Sequence, residues 1–182
     1  MIFNGNNFDI DRYLGTWYEI ARYPTFWEDN LKFYESDSSN KIVNVSCDFA
    51  TAKYSKLDNG NVEVLNTCYY GTKAIAQSIG EAYSASRDDM TRGRLKVQFD
   101  ENIEYNKEGD YIIHYTDYQT LSIVSNGMKS PDPRGQMIWI LSRKMVPDDD
   151  TLRIVVKVLS KLDVDRSRLV GLHSKALKLF TA

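Results

Sequence analysis

Short segments in which apolar and polar residues alternate occupy most of the chain before residue 145. A period of two places every second side chain on one face of an extended strand, so these segments predict β-strands. The clearest pair is residues 50–57 and 62–68, because Asp58-Asn59-Gly60 between them is a strong hairpin signal. The other strand candidates are residues 15–22, 74–84, 92–99, 110–117, 119–125 and 136–143. Eight short strands separated by turn residues predict an antiparallel barrel or sandwich.

The pattern becomes helical after Pro147, where apolar residues recur at positions 152, 155, 156, 159 and 162. Three aspartates precede them and suit the positive end of a helix dipole, so the spacing predicts a helix over about 149–162. Residues 151–182 hold seven Lys or Arg against two Asp, and this basic surface is a possible contact for an anionic membrane. An amphipathic helix beside a sheet normally packs its apolar stripe on that sheet, which is the arrangement we expect.

Residues 24–44 form a long polar segment that interrupts the strand pattern. A loop of this length inside a domain is usually functional, often as a lid. Its aromatic residues either cover the mouth of a barrel or anchor the loop, and we favour the lid. They are Phe26, Trp27, Phe33 and Tyr34.

Composition narrows the function mainly by exclusion. The chain has 182 residues, 42% of them hydrophobic and 26% charged, which predicts a single globular domain over 1–182, with a barrel at about 13–145. A net charge of −2 argues against a nucleic-acid partner, because phosphate binding needs a basic field. With only two histidines and two cysteines, we expect no metal site and no cofactor.

The first ten residues lack the apolar core of a signal peptide, and no lipoprotein cysteine is visible near the start. The chain as it stands is therefore expected to be intracellular, or secreted if it is a mature form.

Several motifs, all in the expected order, resemble those of the lipocalin family. Residues 15–20, Gly-Thr-Trp-Tyr-Glu-Ile, resemble the Gly-x-Trp signature of the first lipocalin strand. Thr116-Asp117-Tyr118 resembles the signature between the sixth and seventh strands, and residues 139–143, Trp-Ile-Leu-Ser-Arg, resemble the last strand with its closing arginine. The resemblance covers residues 8–173 and is strongest to the group of apolipoprotein D, the bacterial lipocalins and the plant temperature-induced lipocalins. The first loop is longer here than in those relatives.

The resemblance implies an all-β fold, an eight-stranded antiparallel up-and-down β-barrel with a C-terminal α-helix packed on its outside. It implies that Trp17 plugs the base, that the Arg143 guanidinium stacks on its ring, and that Asp117 holds a turn. Gly15 would let the chain enter the base without a Cβ clash. These structural signature residues are Gly15, Trp17, Thr116, Asp117, Tyr118 and Arg143.

Alternation then assigns an inner face to each strand and predicts a mostly apolar cavity. Two alanines at alternate positions of the first hairpin strand, Ala50 and Ala52, would leave room for a ligand. The resemblance, not the period, places Ile112 and His114 inside, and we expect His114 and Asn66 to orient a polar head group. The predicted cavity residues are Ala21, Ala50, Ala52, Tyr54, Val62, Val64, Asn66, Val97, Phe99, Ile112, His114 and Trp139.

The same alternation puts Cys47 and Cys68 on opposite faces of their hairpin. A disulfide needs adjacent, facing Cβ atoms, so we expect two free thiols, consistent with a reducing compartment.

These criteria predict non-enzymatic binding, transport or scavenging of a small lipophilic ligand such as a fatty acid, lysophospholipid, sterol or retinoid. One alternative is a protein-binding decoy that uses the long first loop. Another is a lipid isomerase that depends on Cys68, although no base is placed beside it. Membrane maintenance through the basic helix is compatible with the carrier, and we expect a monomer or weak dimer.

Overall fold

Eight antiparallel strands close into a ring in the computed structural model, which describes residues 7–24, 31–34, 42–45, 47–84, 86–99, 108–128 and 135–171. Each barrel strand pairs with its neighbour along the chain, and the first pairs with the last. The barrel strands are β1 (Gly15–Arg22), β4 (Phe49–Lys56), β5 (Val62–Tyr70), β6 (Lys73–Tyr83), β7 (Arg94–Phe99), β8 (Gly109–Thr116), β9 (Leu121–Ser125) and β10 (Ile138–Ser142). The predicted up-and-down barrel is confirmed.

The long segment after β1 is not wholly irregular. An antiparallel pair, β2 (Leu31–Tyr34) and β3 (Ile42–Val45), forms within the stretch that sequence reasoning treats as one loop. The β-branched residues of β3 favour a strand, and the polar residues around them hide that signal. Phe26 and Trp27 lie outside the described residues, as do the side chains of Phe33 and Tyr34, so the lid stays a prediction.

The C-terminal helix, α3 (Asp149–Lys161), packs on the outside of the barrel as expected. Its N-cap is Asp148, whose carboxylate accepts hydrogen bonds from the backbone N–H and the hydroxyl of Thr151. These bonds lower the pKa of Asp148 to about 2, so the cap remains ionised. The other helical elements are α1 (Ile10–Tyr13), α2 (Arg87–Thr91) and a 3₁₀ turn (Arg166–Arg168), and a short strand β11 (Val170–Gly171) pairs with β1. No helix among the described residues is both long and apolar enough to cross a membrane.

Buried side chains form two clusters on opposite sides of the sheet. The inner cluster lies inside the barrel and consists of Phe8, Tyr13, Trp17, Ala52, Tyr54, Val62, Val64, Ala82, Leu95, Ile113, Val124 and Leu141. The outer cluster joins the barrel wall to α3 and consists of Ile20, Ala21, Tyr23, Leu121, Ile123, Ile138, Ile140, Leu152, Val155, Val158, Leu159 and Leu169. Membership of a cluster therefore shows which way a strand residue faces.

Candidate functional site

One end of the barrel is closed by Trp17 and Arg143. Trp17 is fully buried, and its indole Nε1 donates a hydrogen bond to the carbonyl of Tyr13 at 2.9 Å. The Arg143 guanidinium carbon lies 3.7 Å from the centre of the Trp17 ring. A planar, weakly hydrated guanidinium is suited to stacking on an aromatic face. This is the arrangement that the resemblance implies for the base.

Arg143 also ties α1 to the barrel through backbone carbonyls. Its Nη2 donates to the carbonyls of Tyr13 and Leu14, at 3.1 and 2.9 Å, and its Nη1 donates to that of Thr16 at 2.9 Å. Gly15 adopts φ +95°, and a Cβ there would lie 3.3 Å from Arg143 Nη1. Glycine is favoured at this position by both its backbone conformation and the close approach of the arginine.

The turn after β8 is held by Asp117. Its Oδ1 accepts hydrogen bonds from the N–H groups of residues 119, 120 and 121. Thr116 Oγ1 donates to the carbonyl of Leu121 and accepts from the N–H of Tyr118. The Tyr118 hydroxyl in turn accepts from the N–H of Asp9, which fastens the start of the chain to the base. These residues therefore build and fasten the closed end of the barrel.

Three tyrosines and a serine form a hydrogen-bonded floor beside Trp17, at the closed end of the barrel. The hydroxyls of Tyr13 and Tyr54 each lie within 3.0 Å of the Tyr111 hydroxyl, and Tyr13 also bonds Ser122 Oγ at 3.0 Å. Burial raises the pKa of Tyr13 to about 12 and that of Tyr54 and Tyr111 well above the usual value. The floor is therefore neutral and satisfied from within.

Toward the open end, the inner face is lined by smaller side chains. The β-ladders set Ala52 opposite both Trp17 and Asn66, and Ala50 opposite both Glu19 and Cys68. Gly80 also faces inward, because a Cβ there would lie 2.7 Å from the Phe99 ring. By cluster membership or strand register, the predicted cavity residues on the inner face are Ala50, Ala52, Tyr54, Val62, Val64, Asn66, Val97, Phe99 and Trp139.

The prediction for Ala21 is wrong because β1 contains a bulge. The β1–β10 register shifts between Glu19 and Ala21, so Ile20 is the extra residue. Ile20 and Ala21 both join the outer cluster, and the next residue, Arg22, faces the barrel interior opposite Trp139. A bulge re-aims every side chain beyond it, which a strict period of two does not anticipate.

The predictions for Ile112 and His114, which rest on the resemblance and not on the period, are also wrong. Ile113 is in the inner cluster and fully buried, so Ile112 faces outward, where it pairs with exposed Arg94. The β8–β9 register shifts between Ile113 and Tyr115, and this bulge leaves His114 on the outer face. His114 Nε2 lies 2.7 Å from Ser125 Oγ, and burial lowers the pKa of the imidazole.

The charged residues that do face the interior were missed by sequence reasoning. Arg22 Nε lies 3.3 Å from Glu19 Oε1, and the two side chains are only 2% and 8% exposed. The signal in the sequence is two opposite charges three residues apart in an apolar strand. On a regular strand they would face opposite sides, and the bulge brings them to one side.

Cys47 and Cys68 form a disulfide with a Cα–Cα distance of 5.3 Å, so the prediction of free thiols is wrong. The ladder between β4 and β5 ends at Phe49 opposite Tyr69. Cys47 precedes that ladder, so alternation does not govern the direction of its side chain. The inference of a reducing compartment loses its basis, and Cys68 is not the free thiol that an isomerase would need.

The basic side of α3 includes exposed Lys157 and Lys161, while Arg153 forms an ion pair with Asp150. Its apolar stripe lies in the outer cluster. Contact of the exposed side with an anionic membrane stays a prediction.

An eight-stranded ring with an aromatic base and small side chains above it defines the class of small up-and-down β-barrels. A family model described as a lipocalin-like domain matches residues 8–171, and the chain belongs to the lipocalin family, whose members bind small hydrophobic ligands.

Individual relatives agree with this assignment. The outer membrane lipoprotein Blc of Escherichia coli (strain K12) is 31% identical over 166 residues, which span 91% of this chain and 78% of Blc. Apolipoprotein D of Rattus norvegicus is 28% identical, with 90% and 75% covered. Among solved structures, insecticyanin from the tobacco hornworm Manduca sexta has a TM-score of 0.64 at 22% identity, over 91% of this chain and 80% of its own. The cockroach allergen Per a 4 has a TM-score of 0.63 at 24% identity, over 94% and 92%. These structural likenesses show the fold.

Proposed function

We propose that the protein is a non-enzymatic carrier or scavenger that holds one small hydrophobic ligand in the open half of its barrel. The ligand class is a fatty acid, lysophospholipid, sterol or retinoid-like molecule. The observation that carries the proposal is the small inward side chain of Ala50, which lies nearer the mouth than Ala52, the alanine opposite the base residue Trp17. An eight-stranded barrel encloses one small ligand when bulky side chains do not fill it.

Burial of an apolar chain supplies the affinity. Each buried methylene contributes about 0.8 kcal/mol, so a sixteen-carbon chain gains roughly 12 kcal/mol before costs. Association costs about 4–15 kcal/mol in lost freedom, so at the low end of that cost about 8 kcal/mol remains, which corresponds to a Kd of about 1 μM. The inner cluster, which includes Val62 and Val64, lies below this space and gives it an apolar closed end.

Native mass spectrometry of the purified protein, followed by organic extraction, tests the proposal. We expect an extra mass that extraction releases as a lipid, or uptake of one when hexadecanoic acid, a lysophospholipid, a sterol and retinol are offered. A clean apo mass with no uptake of any of the four would overturn the carrier.

Filling the proposed space gives a second test. Ala50→Leu should weaken uptake at least tenfold, because the added side chain occupies the ligand's volume. Lys53→Leu on the same strand is the matched control, since Lys53 is exposed on the outer face and should leave uptake unchanged. Equal effects of the two substitutions would place the ligand outside the barrel.

A further inference from the structure

The dipeptide Asn-Gly occurs three times in the chain, at residues 4–5, 59–60 and 126–127. The first lies outside the described residues, and the other two lie in turns at opposite ends of the barrel. An asparagine followed by glycine is prone to attack by its own main chain, because glycine has no side chain to shield the peptide nitrogen. The surroundings of the two dipeptides decide whether each can react.

Asn59 lies at the exposed tip of the β4–β5 hairpin. Its Oδ1 accepts a hydrogen bond from the N–H of Asn61 at 2.9 Å. This bond folds the side chain back over the Gly60 nitrogen, which lies between the two residues, and polarises the side-chain carbonyl. The Gly60 N–H donates to the carbonyl of Leu57 at 3.0 Å, and both Asn59 and Gly60 are exposed, so water can replace this bond.

Asn126 has the same neighbour in sequence but is held across its loop. Its Nδ2 donates to the carbonyl of Gly135 at 2.8 Å, and its Oδ1 accepts from the N–H of Met137 at 3.0 Å. The Gly127 N–H donates to the hydroxyl of Ser125, a fully buried residue, at 3.0 Å. Asn126 and Gly127 are each only partly exposed, so this side chain must leave a structured site before it can react.

We propose that Asn59 is a site of spontaneous deamidation in the folded protein, and that the contacts of Asn126 protect it from the same reaction. The co-reactant is water, and no enzyme is needed. The site lies at the closed end of the barrel, so the inference is independent of the proposed ligand.

The reaction has two steps. The Gly60 nitrogen gives up its proton to solvent and forms a bond to Cγ of Asn59, while the bond from Cγ to the amide nitrogen breaks and ammonia leaves. Water then adds to one of the two carbonyl carbons of the resulting succinimide and opens the ring to aspartate or isoaspartate. In sum, one amide and one water give one carboxylic acid and one ammonia.

The product changes the charge balance beside the hairpin. Asn59 Nδ2 donates to Glu81 Oε1 at 3.0 Å, and Asn61 Nδ2 donates to the same oxygen. These two bonds lower the pKa of Glu81, whose partner directly opposite on β5 is Glu63. Deamidation of Asn59 replaces one of the two donors by a third carboxylate, which repels the other two.

Peptide mapping of the wild-type protein during incubation at pH 9 and 37 °C tests the site. Trypsin releases Asn59 in the peptide 57–73 and Asn126 in the peptide 108–129, and fragmentation assigns the modified position. The same incubation in guanidinium chloride is the reference, because the unfolded chain lacks these contacts and both asparagines should react at similar rates.

We expect Asn59 in the folded protein to react about tenfold faster than Asn126, since one additional structured hydrogen bond slows a reaction by roughly this factor. Equal rates, a faster reaction at Asn126, or no reaction at Asn59 while the unfolded chain reacts would each overturn the proposal.

Two variants test the consequence for the hairpin. Asn59→Asp reproduces one product, and Asn59→Gln is the matched control, because it keeps an amide donor whose longer side chain cyclises slowly. We expect a lower urea midpoint for Asn59→Asp than for Asn59→Gln, and a smaller difference in 1 M NaCl, where salt screens the carboxylates. Equal midpoints at low salt would overturn the coupling to Glu81.

Discussion

The closed base and the open half of the barrel use the same strands in different ways. At the base, Trp17, Tyr13, Tyr54 and Tyr111 fill the interior with aromatic rings, and Tyr13 lies 5.1 Å from Trp17 and 5.2 Å from Tyr54 between ring centres. Toward the mouth, the same inner face carries alanines, Asn66 and an ion pair. One strand, β4, passes from Tyr54 at the base to Ala50 near the mouth.

This difference divides stability from binding within one sheet. A buried aromatic side chain removes about 150–250 Å² from water, which contributes roughly 4–6 kcal/mol at 25 cal/mol per Å². An alanine contributes far less and leaves volume that a ligand can fill. The base therefore stabilises the barrel, and the open half contributes less packing, as the proposed ligand site requires.

The largest expected effect compares the two inward-facing tryptophans. Trp17→Ala should lower the free energy of unfolding by about 4 kcal/mol, because Trp17 is fully buried and carries the Arg143 guanidinium. Trp139→Ala should cost about 2 kcal/mol, since Trp139 is only partly buried, and should weaken ligand uptake more than Trp17 variants that remain folded. Urea unfolding and dye displacement measure the two effects. Equal stability losses would show that the open half is packed as tightly as the base.

The covalent link at the open end is the next test. Cys68 lies near the end of β5, and the disulfide closes a loop with a sequence separation of 21 residues. A loop of this size predicts a loss of about 3 kcal/mol on removal, so the bond offsets part of the packing that the open half lacks. We expect no reaction with iodoacetamide before reduction, and a lower urea midpoint in Cys47→Ser/Cys68→Ser. Two labelled thiols in the unreduced, folded protein would contradict the disulfide.

Substitution of Arg143 tests the contribution of the base without changing any side chain of the open half. Its guanidinium donates to carbonyls from α1, β1 and the turn at Tyr118. Arg143→Met should cost about 2–3 kcal/mol, because several of those carbonyls lose their donor. Arg143→Lys should recover only part of the loss, since an ammonium cannot reach carbonyls on three sides. Ligand affinity of the folded variants should remain within about twofold of wild type, and a larger change would connect the base to binding.

Local pattern was sufficient for much of the architecture. The Asp58-Asn59-Gly60 turn, the alternating strands and the helix after Asp148 depend on neighbours in sequence, and the structure has each of them. The motif at residues 15–20 and the arginine at position 143 meet at the base, as the resemblance implies. Turn chemistry and periodicity are local properties, so a single sequence is sufficient to predict the elements that depend on them.

The side-chain directions that sequence reasoning got wrong lie on strands with a bulge or beyond the end of a ladder. The bulge at Ile20 shifts the register of β1, so a period-two argument assigns Ala21 to the wrong face, whereas Ile112 and His114 were placed inside by the resemblance on a strand whose register shifts after Ile113. Cys47 lies beyond the end of its ladder. Where the strands pair regularly, as for Val62 and Val64, alternation gave the observed face. The Arg22–Glu19 ion pair was missed because only the bulge at Ile20 brings these two side chains to the same face of β1.

The smallest expected effect concerns His114, which tests the bulge in β8 directly. Burial lowers the pKa of His114 below its ordinary value, so the folded protein binds this proton less readily than the unfolded chain. The stabilising contribution of neutral His114 is then complete above the unfolded pKa of about 6.5 and declines as pH falls below it. His114→Gln should cost about 1 kcal/mol at neutral pH through the bond to Ser125, and should flatten the decline of stability below pH 6.5. Because His114 faces outward, a ligand in the barrel should leave its imidazole titration, followed by NMR, unchanged. A ligand-dependent shift of that titration would show that His114 faces the cavity, and it would contradict the outward position that the bulge gives this residue.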